Sequence, residues 1–538
     1  MVDIPDLSFE ALSPVSFLER SAWVYADRLA VISGERRFTY AEHWLRVRKL
    51  AGMLHGLGVV QGDRVAVLAP NTHVLLEAST GVAAGGAVLV ALNVRLQPAE
   101  IATILDHAGV SVLIADAEFR ELAQQSLRQA TNAPRLLLAG LDGSGQDEYE
   151  QLLDAASPIY LPVSDERQLL SINYTSGTTG DPKGVMYHYR GAYLQALAMA
   201  FHAKLDLKTR YLWTLPMFHT NGWSFPWAVT AAGGVHLCLR KVDPEDIWHR
   251  LKENGVTHLC AAPTVLTSLA AHRDAAPLSR SVRAMVGGAP PSPSLLQRMD
   301  DLNIEVLHLY GLTETFGPAI LCDWRPEWND APAESRARIL ARQGVANLVS
   351  QRVRVMNESG DDVPADGQSM GQVAIRGNNV MLGYYRDSEG TRRAAPDGYF
   401  RTGDLGVMHP DGYIELRDRL KDVIISGGEN ISSIEVENML CEHPDVAEAA
   451  VVGMPDDHWG EIPVAFVAIK SLARPVDEAQ LIEFVRKHLA HFKAPKMIVF
   501  GDLPKTSTGK IQKHLLRAQQ VPGLPQPESG NSNTEQPD

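Results

Sequence analysis

The spacing of apolar residues along the chain predicts alternating strands and helices. Short apolar runs at residues 235–240 and 256–261 have the length of strands, and a segment with helical spacing follows each of them. These helical segments begin at Pro244 and near Pro263, and proline suits a first helical turn because no amide hydrogen is needed there. Repeated strand–helix–strand spacing predicts a parallel sheet covered by helices.

The same alternation recurs elsewhere in the first 420 residues. Further strands are predicted to begin at Arg64, Ala87, Ser111, Val282 and Ile304. We therefore predict an α/β fold with a large N-terminal domain of doubly wound sheets and a β-rich subdomain. Ligands of such sheets bind beyond the carboxyl ends of the strands. The loops after Ala261, Gly287 and Tyr310 are thus the expected location of the chemistry.

One long stretch, from Tyr211 to Leu239, contains no Lys, Arg, Asp or Glu. Pro216, Pro226 and the pair at residues 233–234 interrupt it, whereas a membrane span takes about 20 mostly apolar residues. We interpret the stretch as a buried wall, either of the core or of a pocket, and we expect no membrane partner.

The pattern changes near residue 420. A charged segment leads there into the loop SGGEN, followed by a helix around residues 434–441, two strands and an amphipathic helix. We predict an N-terminal domain at residues 1–419 and a small α+β domain at 420–520. Residues 521–538 hold four prolines and no aromatic residue, so a disordered tail is expected.

Composition narrows the class of protein. The 538 residues carry 50 Lys plus Arg against 64 Asp plus Glu, and the net charge of −14 disfavours a dedicated nucleic-acid binder. The four cysteines form neither a CxxC metal pair nor a disulfide framework. The first 14 residues lack the pattern of a signal peptide. We therefore expect a reducing, cytoplasmic location.

The segment YTSGTTGDPKG, residues 174–184, combines glycines, hydroxyl side chains and one lysine. Such a loop can hold a polyphosphate with backbone amides, hydroxyl donors and the charge of Lys183. It is not a Walker A loop, because Pro182 stands where that motif needs a glycine. Taken alone, a glycine-rich surface turn explains the segment equally well.

Five motifs together resemble the signatures of adenylate-forming acyl-CoA synthetases. They are YTSGTTGDPKG, YGLTET from Tyr310, RTGD from Arg401, DRLKD from Asp418 and PKTSTGK from Pro504, in that order and spacing. The resemblance covers residues 10–515, including GQVAIRGNNVMLGYY from Gly371. It is strongest to medium-chain acyl-CoA ligases and bacterial 3-methylmercaptopropionyl-CoA ligases.

The resemblance implies a reaction in two steps, with ATP, Mg²⁺ and coenzyme A as cofactors and co-substrate. The carboxylate of an acid first attacks the α-phosphate of ATP and releases pyrophosphate. The thiol of coenzyme A then attacks the acyl-adenylate and releases AMP. Such catalysis depends mainly on alignment of the reactants and on charge neutralisation.

The resemblance also implies an ATP site. The residues assigned to the β- and γ-phosphates are Thr175, Ser176, Gly177, Thr178, Thr179, Gly180 and Lys183. Those assigned to adenine are Gly288, Ala289, Pro290 and Tyr310, with Gly311, Leu312 and Thr313 beside them. Thr175 and Glu314 are assigned to Mg²⁺, and Asp404 and Arg419 to the ribose. Lys510 is expected to contact the α-phosphate and the substrate carboxylate. For single residues, a turn or a surface ion pair is the structural alternative.

Other residues are assigned to the acid and to coenzyme A. His219 is the expected catalytic gate between the acid and thiol channels, and Trp223 the wall that shortens the acyl tunnel, with Gly288 and Gly311 also contacting the acid. Lys421 matches the hinge of a rotating small domain, where relatives often have Asp. The residues expected to line the coenzyme A channel are Gly427, Gly428 and Glu429.

We therefore predict an acid–thiol ligase that joins a short- or medium-chain carboxylic acid to coenzyme A, with 3-methylmercaptopropionate as a candidate substrate. Two alternatives stay open: an acid-adenylating enzyme that loads a carrier protein, and a non-catalytic adenylate-binding protein. The resemblance also implies a homodimer.

Overall fold

The computed structural model describes residues 10–141, 145–176, 182–427, 429–456, 458–470, 476–505, 511–519 and 521. The chain divides into two compact units, Met1–Arg354 with Ala374–Thr402, and Val355–Val373 with Gly403–Asp538. Residues 403–419 thus group with the second unit, although the sequence pattern assigns them to the N-terminal domain. The predicted disordered tail lies outside the described residues, except for Val521.

The strands of the described residues are numbered in chain order. They are β1 Leu29–Ser33, β2 Arg36–Thr39, β3 Arg64–Leu68, β4 Val88–Ala91, β5 Val110–Asp116, β6 Arg135–Ala139, β7 Leu169–Ser176, β8 Pro182–His188, β9 Arg210–Leu212, β10 Val235–Cys238, β11 His258–Ala261, β12 Val282–Val286, β13 Ile304–Leu312, β14 Gly317–Leu321, β15 Val345–Ala346, β16 Arg354–Met356, β17 Met370–Ile375, β18 Gly383–Tyr384, β19 Phe400–Met408, β20 Ile414–Arg419, β21 Ile424–Ser426, β22 Glu429–Ile431, β23 Val446–Asp456, β24 Gly460–Ile469 and β25 Met497–Phe500.

The α-helices are numbered in the same way. They are α1 Val15–Val24, α2 Tyr40–Gly56, α3 His73–Ala84, α4 Pro98–Ala108, α5 Arg120–Gln129, α6 Glu148–Ala155, α7 Tyr189–His202, α8 Thr220–Trp223, α9 Phe225–Ala231, α10 Pro244–Glu253, α11 Pro263–Ala271, α12 Pro293–Asp301, α13 Ala333–Ala341, α14 Ser388–Ala394, α15 Ser433–Glu442, α16 Glu478–His488 and α17 Lys513–Arg517. Within the described ranges, no helix is both long enough and apolar enough to cross a membrane.

Two large sheets form the first unit. One has the order β15–β14–β13–β12–β11–β9–β10–β1–β2. Its strands from β13 to β1 in that order pair in parallel, whereas β14 pairs antiparallel with β13. The other has the order β18–β8–β7–β4–β3–β5–β6, with a parallel centre and antiparallel β7, β8 and β18 at one end. Parallel strands covered on both faces are expected to be apolar throughout. The predicted α/β fold with doubly wound sheets is confirmed.

The helices on these sheets begin where the sequence pattern places them. In α10, Pro244 occupies the first turn, and the carboxylate of Asp243 accepts hydrogen bonds from the amides of Glu245 and Asp246. Those amides have no partner inside the helix, so this cap stabilises its start. Ile247, Trp248 and Leu251 lie three or four residues apart and bury one face of the helix.

The second unit combines a small sheet with an α+β body. Strands β16, β17, β19 and β20 form a sheet in that order, in which β19 and β20 are antiparallel. The body has the sheet order β22–β21–β24–β23, with β25 beside β24. Helices α15 and α16 pack on it through buried residues, among them Val436, Leu440, Leu481 and Val485.

Candidate active site

The phosphate-loop motif lies between two paired strands. β7 and β8 are antiparallel, and their last registered pairs are Thr175 with Lys183 and Ser176 with Pro182. Residues 177–181 lie outside the described residues, so the predicted roles of Gly177, Thr178, Thr179 and Gly180 stay predictions. The register nonetheless brings the backbones of Thr175 and Lys183 opposite each other where that segment begins and ends.

The strand end before this segment is held by side chains. The hydroxyl of Tyr174 and Nδ1 of His107 share a hydrogen bond of 2.7 Å. Gly184 faces Tyr174 across the two strands, and a Cβ atom on Gly184 would come within 2.9 Å of Ile172 Cγ2 and 3.1 Å of Tyr174 Cζ. A side chain there would push the strands apart, so glycine is required by packing.

The YGLTET motif forms a tight reversal. β13 ends at Leu312, residues Thr313–Thr315 form a short 3₁₀ turn, and β14 returns antiparallel from Gly317. The hydroxyl of Thr315 accepts a hydrogen bond from the Leu312 amide at 2.9 Å and donates one to the Gly317 carbonyl at 2.8 Å. Glu314 therefore projects from a turn whose backbone is fixed on both sides.

Two tyrosines hold this turn. Tyr384 donates a hydrogen bond from its hydroxyl to Glu314 Oε1 at 2.9 Å. Tyr187 donates to the carbonyl of Thr313 at 2.6 Å, and its ring stacks on Phe316 with the centroids 3.9 Å apart. Burial, followed by the negative charge of Glu314, raises the pKa of both phenols well above its ordinary value. Both therefore stay protonated and remain donors.

The predicted adenine-binding loop follows the neighbouring strand. β12 and β13 pair in parallel, so their carboxyl ends meet at one edge of the sheet. Gly288, Ala289 and Pro290 are exposed there, directly after β12, while Tyr310 and Gly311 stand half-buried near the end of β13. A Cβ atom on Gly311 would lie only 1.9 Å from the Gly317 carbonyl oxygen, so no side chain fits between β13 and β14.

The short element numbered α8, together with Ser224, is not a regular helix but an unusual turn within the uncharged stretch predicted as a buried wall. Thr220, Asn221, Gly222, Trp223 and Ser224 all have positive φ, from 40° to 65°. Left-handed conformations cost roughly 1 kcal/mol or more for each residue other than glycine. The surrounding structure must therefore impose this turn.

Asparagine side chains anchor the turn. Asn173 donates to the carbonyl of Phe218 at 2.8 Å, and Asn221 donates to Ser171 Oγ at 2.7 Å. Both asparagines and Ser171 are buried, where a hydrogen bond lost without replacement is expensive. Because Asn173 and Ser171 belong to β7, the strand that leads into the phosphate-loop motif also fixes the turn.

The anchored turn buries Trp223, which is 6% exposed. A Cβ atom on Gly287 would come within 3.0 Å of the indole at Cη2, and one on Gly317 within 3.1 Å at Cδ1. The indole thus packs between Gly287, which precedes the exposed Gly288–Ala289–Pro290 shelf, and Gly317, which follows the Glu314 turn. Three predicted site segments, separated in sequence, meet at this ring, while His219 lies half-buried where the turn begins.

In the second unit, Asp404 and Arg419 are registered partners on β19 and β20. Arg419 Nε lies 3.2 Å from Asp404 Oδ1, and the carboxylate is almost fully buried. Lys421 is exposed in the turn that follows β20. Gly427, after β21, and Glu429, at the start of β22, are exposed as well. Gly428 and Lys510 lie outside the described residues, so their assigned roles stay predictions.

Sequence reasoning missed the residues that hold the site rather than those assigned to touch a ligand. Tyr384 belongs to the quoted GNNVMLGYY motif but received no role, and Tyr187, Asn173 and Ser171 received none either. Asn173 and Ser171 precede the YTSGTTGDPKG motif within the same strand, and that proximity was the available signal.

The side chains available as ligands indicate what kind of Mg²⁺ site is present. Among the described residues, no cluster of three or more His, Cys, Asp or Glu side chains is arranged to hold a metal ion. Nucleotide-bound Mg²⁺ does not need such a cluster, because one or two carboxylates combine with phosphate oxygens and water. Glu314, a single carboxylate oriented by Tyr384, fits that kind of site.

Comparisons with known proteins agree over most of the chain. The model of the AMP-binding enzyme family matches residues 18–385, and that of the AMP-binding enzyme C-terminal domain matches residues 435–510. The peroxisomal acetate/butyrate–CoA ligase AAE7 of Arabidopsis thaliana is 42% identical over 558 residues, covering 98% of both chains. The 2-methylpropanoate–CoA ligase CCL4 of Humulus lupulus is 43% identical and covers 95% of both.

A solved structure supports the same relationship. The ATP-bound MatB of Rhodopseudomonas palustris has a TM-score of 0.83 at 27% sequence identity, and the match covers 94% of this chain and 98% of that one.

One expectation is wrong. The cytoplasmic location inferred from composition is contradicted by the peroxisomal location of the Arabidopsis ligase, which matches this chain over nearly its whole length. Charge and cysteine content report a reducing environment. Neither property contains the targeting signals that receptors recognise, so composition cannot distinguish one reducing compartment from another.

Proposed function

Because the chain belongs to the AMP-binding enzyme family and is an acid–CoA ligase, we propose that it activates short carboxylic acids. One carboxylate oxygen bonds to the α-phosphorus of ATP as pyrophosphate leaves. The sulfur of coenzyme A then bonds to the acyl carbon as AMP leaves, and the thiol proton passes to solvent. The substrate range includes butyrate and 3-methylmercaptopropionate, which has the chain length of pentanoate.

The position of Trp223 carries this proposal. Its indole is packed between Gly287 and Gly317, beside the Gly288–Ala289–Pro290 shelf and the Glu314 turn. A large, buried ring at that edge limits the space for an acyl chain that starts near the reacting phosphate. The two curated ligases reported above act, by their names, on acetate or butyrate and on 2-methylpropanoate, which are acids of the proposed size.

The residues of the nucleotide site take the roles that the resemblance implies. Lys183 and the glycine-rich segment bind the β- and γ-phosphates, the shelf after β12 and Tyr310 bind adenine, and Asp404 accepts hydrogen bonds from the ribose beside Arg419. Thr175 and Glu314 would hold Mg²⁺, which when bound neutralises phosphate charge. Lys510 offsets the charge that develops at the α-phosphate during adenylation.

The remaining residues serve the second step, in which coenzyme A meets the activated acid. His219 separates the acid from the thiol, Lys421 is the hinge between the half-reactions, and Gly427, Gly428 and Glu429 line the path of the pantetheine arm. The organisation into residues 1–419 and 420–520, with the second part moving between the steps, belongs to the same proposal. A homodimer stays a prediction.

The test is pyrophosphate and AMP release from the purified chain with a panel of acids from acetate to dodecanoate, plus 3-methylmercaptopropionate. Each acid is measured with and without coenzyme A, and a reaction without acid gives the background. We expect AMP release that depends on coenzyme A and peaks between acetate and hexanoate. Pyrophosphate release without transfer to coenzyme A would favour a carrier protein as the acceptor. A peak at octanoate or longer acids would contradict the proposed size class.

A further inference from the structure

The segment from Asn379 to Tyr385 contacts the Glu314 turn at three points. The amide of Met381 donates to the Glu314 carbonyl at 2.8 Å, and Asn379 Nδ2 donates to the Thr315 carbonyl at 3.3 Å. The third contact is the Tyr384 hydroxyl on Glu314 Oε1. Backbone and side chain of the turn are therefore both fixed by this segment.

The same segment also pairs with the strand that follows the phosphate-loop motif. In β18, Gly383 and Tyr384 are registered with Met186 and Val185 of β8. The amide of Tyr385 donates to the carbonyl of Gly184 at 2.7 Å. The short strand thus ties β8, which carries Lys183 near its start, to the Glu314 turn of the other large sheet.

Tyr384 makes both connections with one side chain. Its hydroxyl binds Glu314, and Lys183 Nζ lies over its ring, 5.1 Å from the centroid. The side chain is only 9% exposed. A buried aromatic ring attracts an ammonium group through its negative face, so the ring restricts Lys183 while the hydroxyl restricts Glu314.

We propose that Tyr384 is a positioning residue that orients Glu314 and Lys183 together for the phosphates and cation of the nucleotide. This inference rests on the proposed function of the site. The hydrogen bond to Oε1 restricts the orientation of the Glu314 carboxylate, which would hold the cation. Partners that orient a ligand side chain in this way commonly change metal affinity or activity about 10- to 100-fold when removed.

Two substitutions separate the two contacts. Tyr384→Phe removes the hydroxyl and keeps the ring, whereas Tyr384→Leu removes both. Tyr385→Phe is the matched control, because Tyr385 is the next residue and its ring packs edge-on against His107 instead. Circular dichroism and thermal unfolding check that each full-length variant is folded.

The first readout is binding, not turnover. Mn²⁺ binding to the protein with a non-hydrolysable ATP analogue is followed by electron paramagnetic resonance. We expect Tyr384→Phe to weaken Mn²⁺ binding about 10-fold with little change in analogue affinity. Tyr384→Leu is expected to weaken Mn²⁺ binding and also the affinity for the analogue. Tyr385→Phe should match the wild type in both.

A double-mutant cycle shows whether Tyr384 acts through Glu314. In a Glu314→Gln background, Tyr384→Phe is expected to change Mn²⁺ binding by less than about 2-fold, because the two residues form one unit. Unchanged Mn²⁺ binding in both Tyr384 variants, or the same loss with and without Glu314, would overturn the proposal. Wild-type turnover on the acid panel tests the proposed function separately, so the two failures are distinguishable.

Discussion

Gly287 and Trp223 are packed so closely that a single methyl group on the glycine would come within 3.0 Å of Cη2 of the indole. The Leu309 carbonyl oxygen lies on another side of that position, 2.9 Å from the same Cβ atom. A methyl group at residue 287 must therefore displace the indole, the backbone of β13 or both. The identity of residue 287 consequently controls where the proposed pocket wall stands.

Gly287→Ala is expected to favour shorter acids. The displaced indole reduces the space for the acyl chain, and one methylene in an apolar pocket is worth about 10-fold or more in discrimination. We expect kcat/KM for butyrate and pentanoate to fall about 10-fold relative to acetate. Gly56→Ala is the control, because a Cβ atom there meets nothing within 4 Å. A parallel loss for all acids would show that Gly287 does not act through pocket length.

Trp223→Ala is expected to change the preference in the opposite direction. Removing the indole opens the wall, so kcat/KM should rise for hexanoate and octanoate relative to acetate. Because the ring is buried, the variant should also lose about 3–5 kcal/mol of stability. The chain-length profile and denaturant unfolding measure the two effects.

The control for Trp223→Ala is Trp248→Phe, a buried indole in a different core cluster of the first unit. Its chain-length profile should match the wild type. If Trp223→Ala lowers stability but leaves the profile unchanged, Trp223 is a residue of the core and not of the pocket.

Lys510→Ala is expected to separate the two half-reactions. Adenylation should fall about 10²- to 10³-fold, as when one contact to a developing charge is lost. Transfer from supplied acyl-adenylate to coenzyme A should change little, since only the first step uses that charge in the proposed mechanism. Lys505→Ala is the control within the same motif, because Lys505 pairs with Glu448 at 2.6 Å. Equal losses in both half-reactions would contradict the assigned role.

Unfolding of the first unit is expected to depend on pH through buried Glu77 and half-buried Glu150. Arg46 Nε binds Glu77 at 2.5 Å, and Arg46 Nη2 binds Glu150 at 2.8 Å. Burial opposes ionisation of both carboxyls. For Glu77 the charge of Arg46, and for Glu150 hydrogen bonds from His73 and Arg46, outweigh it and lower the pKa below 4.5.

A lowered native pKa gives stability that is present above pH 4.5 and is lost as pH falls towards the native pKa. Burial also lowers the pKa of His43 to about 4. Its contribution to the free energy of unfolding therefore begins to decrease as soon as the pH drops below 6.5. We expect Glu150→Gln to flatten the loss below pH 4.5, measured by denaturant unfolding at a series of pH values. Glu121→Gln, at an exposed position, serves as control. If the free energy of unfolding depends on pH with the same slope in the wild type and both variants, Glu150 is not the cause of the pH dependence.

Most of the fold could be predicted from the pattern of apolar residues. Strands β10 and β11 are buried along their whole length and appear in the sequence as mainly apolar runs, while proline marked the starts of α10 and α11. Element ends were less accurate. β11 begins at His258 although the apolar run begins at Val256, because hydrogen-bond pairing with neighbours, and not side-chain polarity, determines where a strand starts.

The contacts within the site were harder to predict from the sequence than its motifs. Tyr384 and Glu314 are 70 residues apart, so their hydrogen bond depends on the packing of separate elements. Thr220, Trp223 and Ser224 have no intrinsic preference for positive φ, so their conformation depends on the contacts of the folded chain. No local pattern encodes either feature.

The dependence of the 220–224 turn on β7 has a practical consequence for exchanging segments between relatives. Asn173 donates to the Phe218 carbonyl just before the turn, and Ser171 accepts a hydrogen bond from Asn221 within it, although both residues lie almost 50 residues earlier in the chain. A grafted turn from another ligase would enter a mismatched set of donors and acceptors. Acid preference is therefore best transferred as two segments together, the second half of β7 and the turn that carries Trp223.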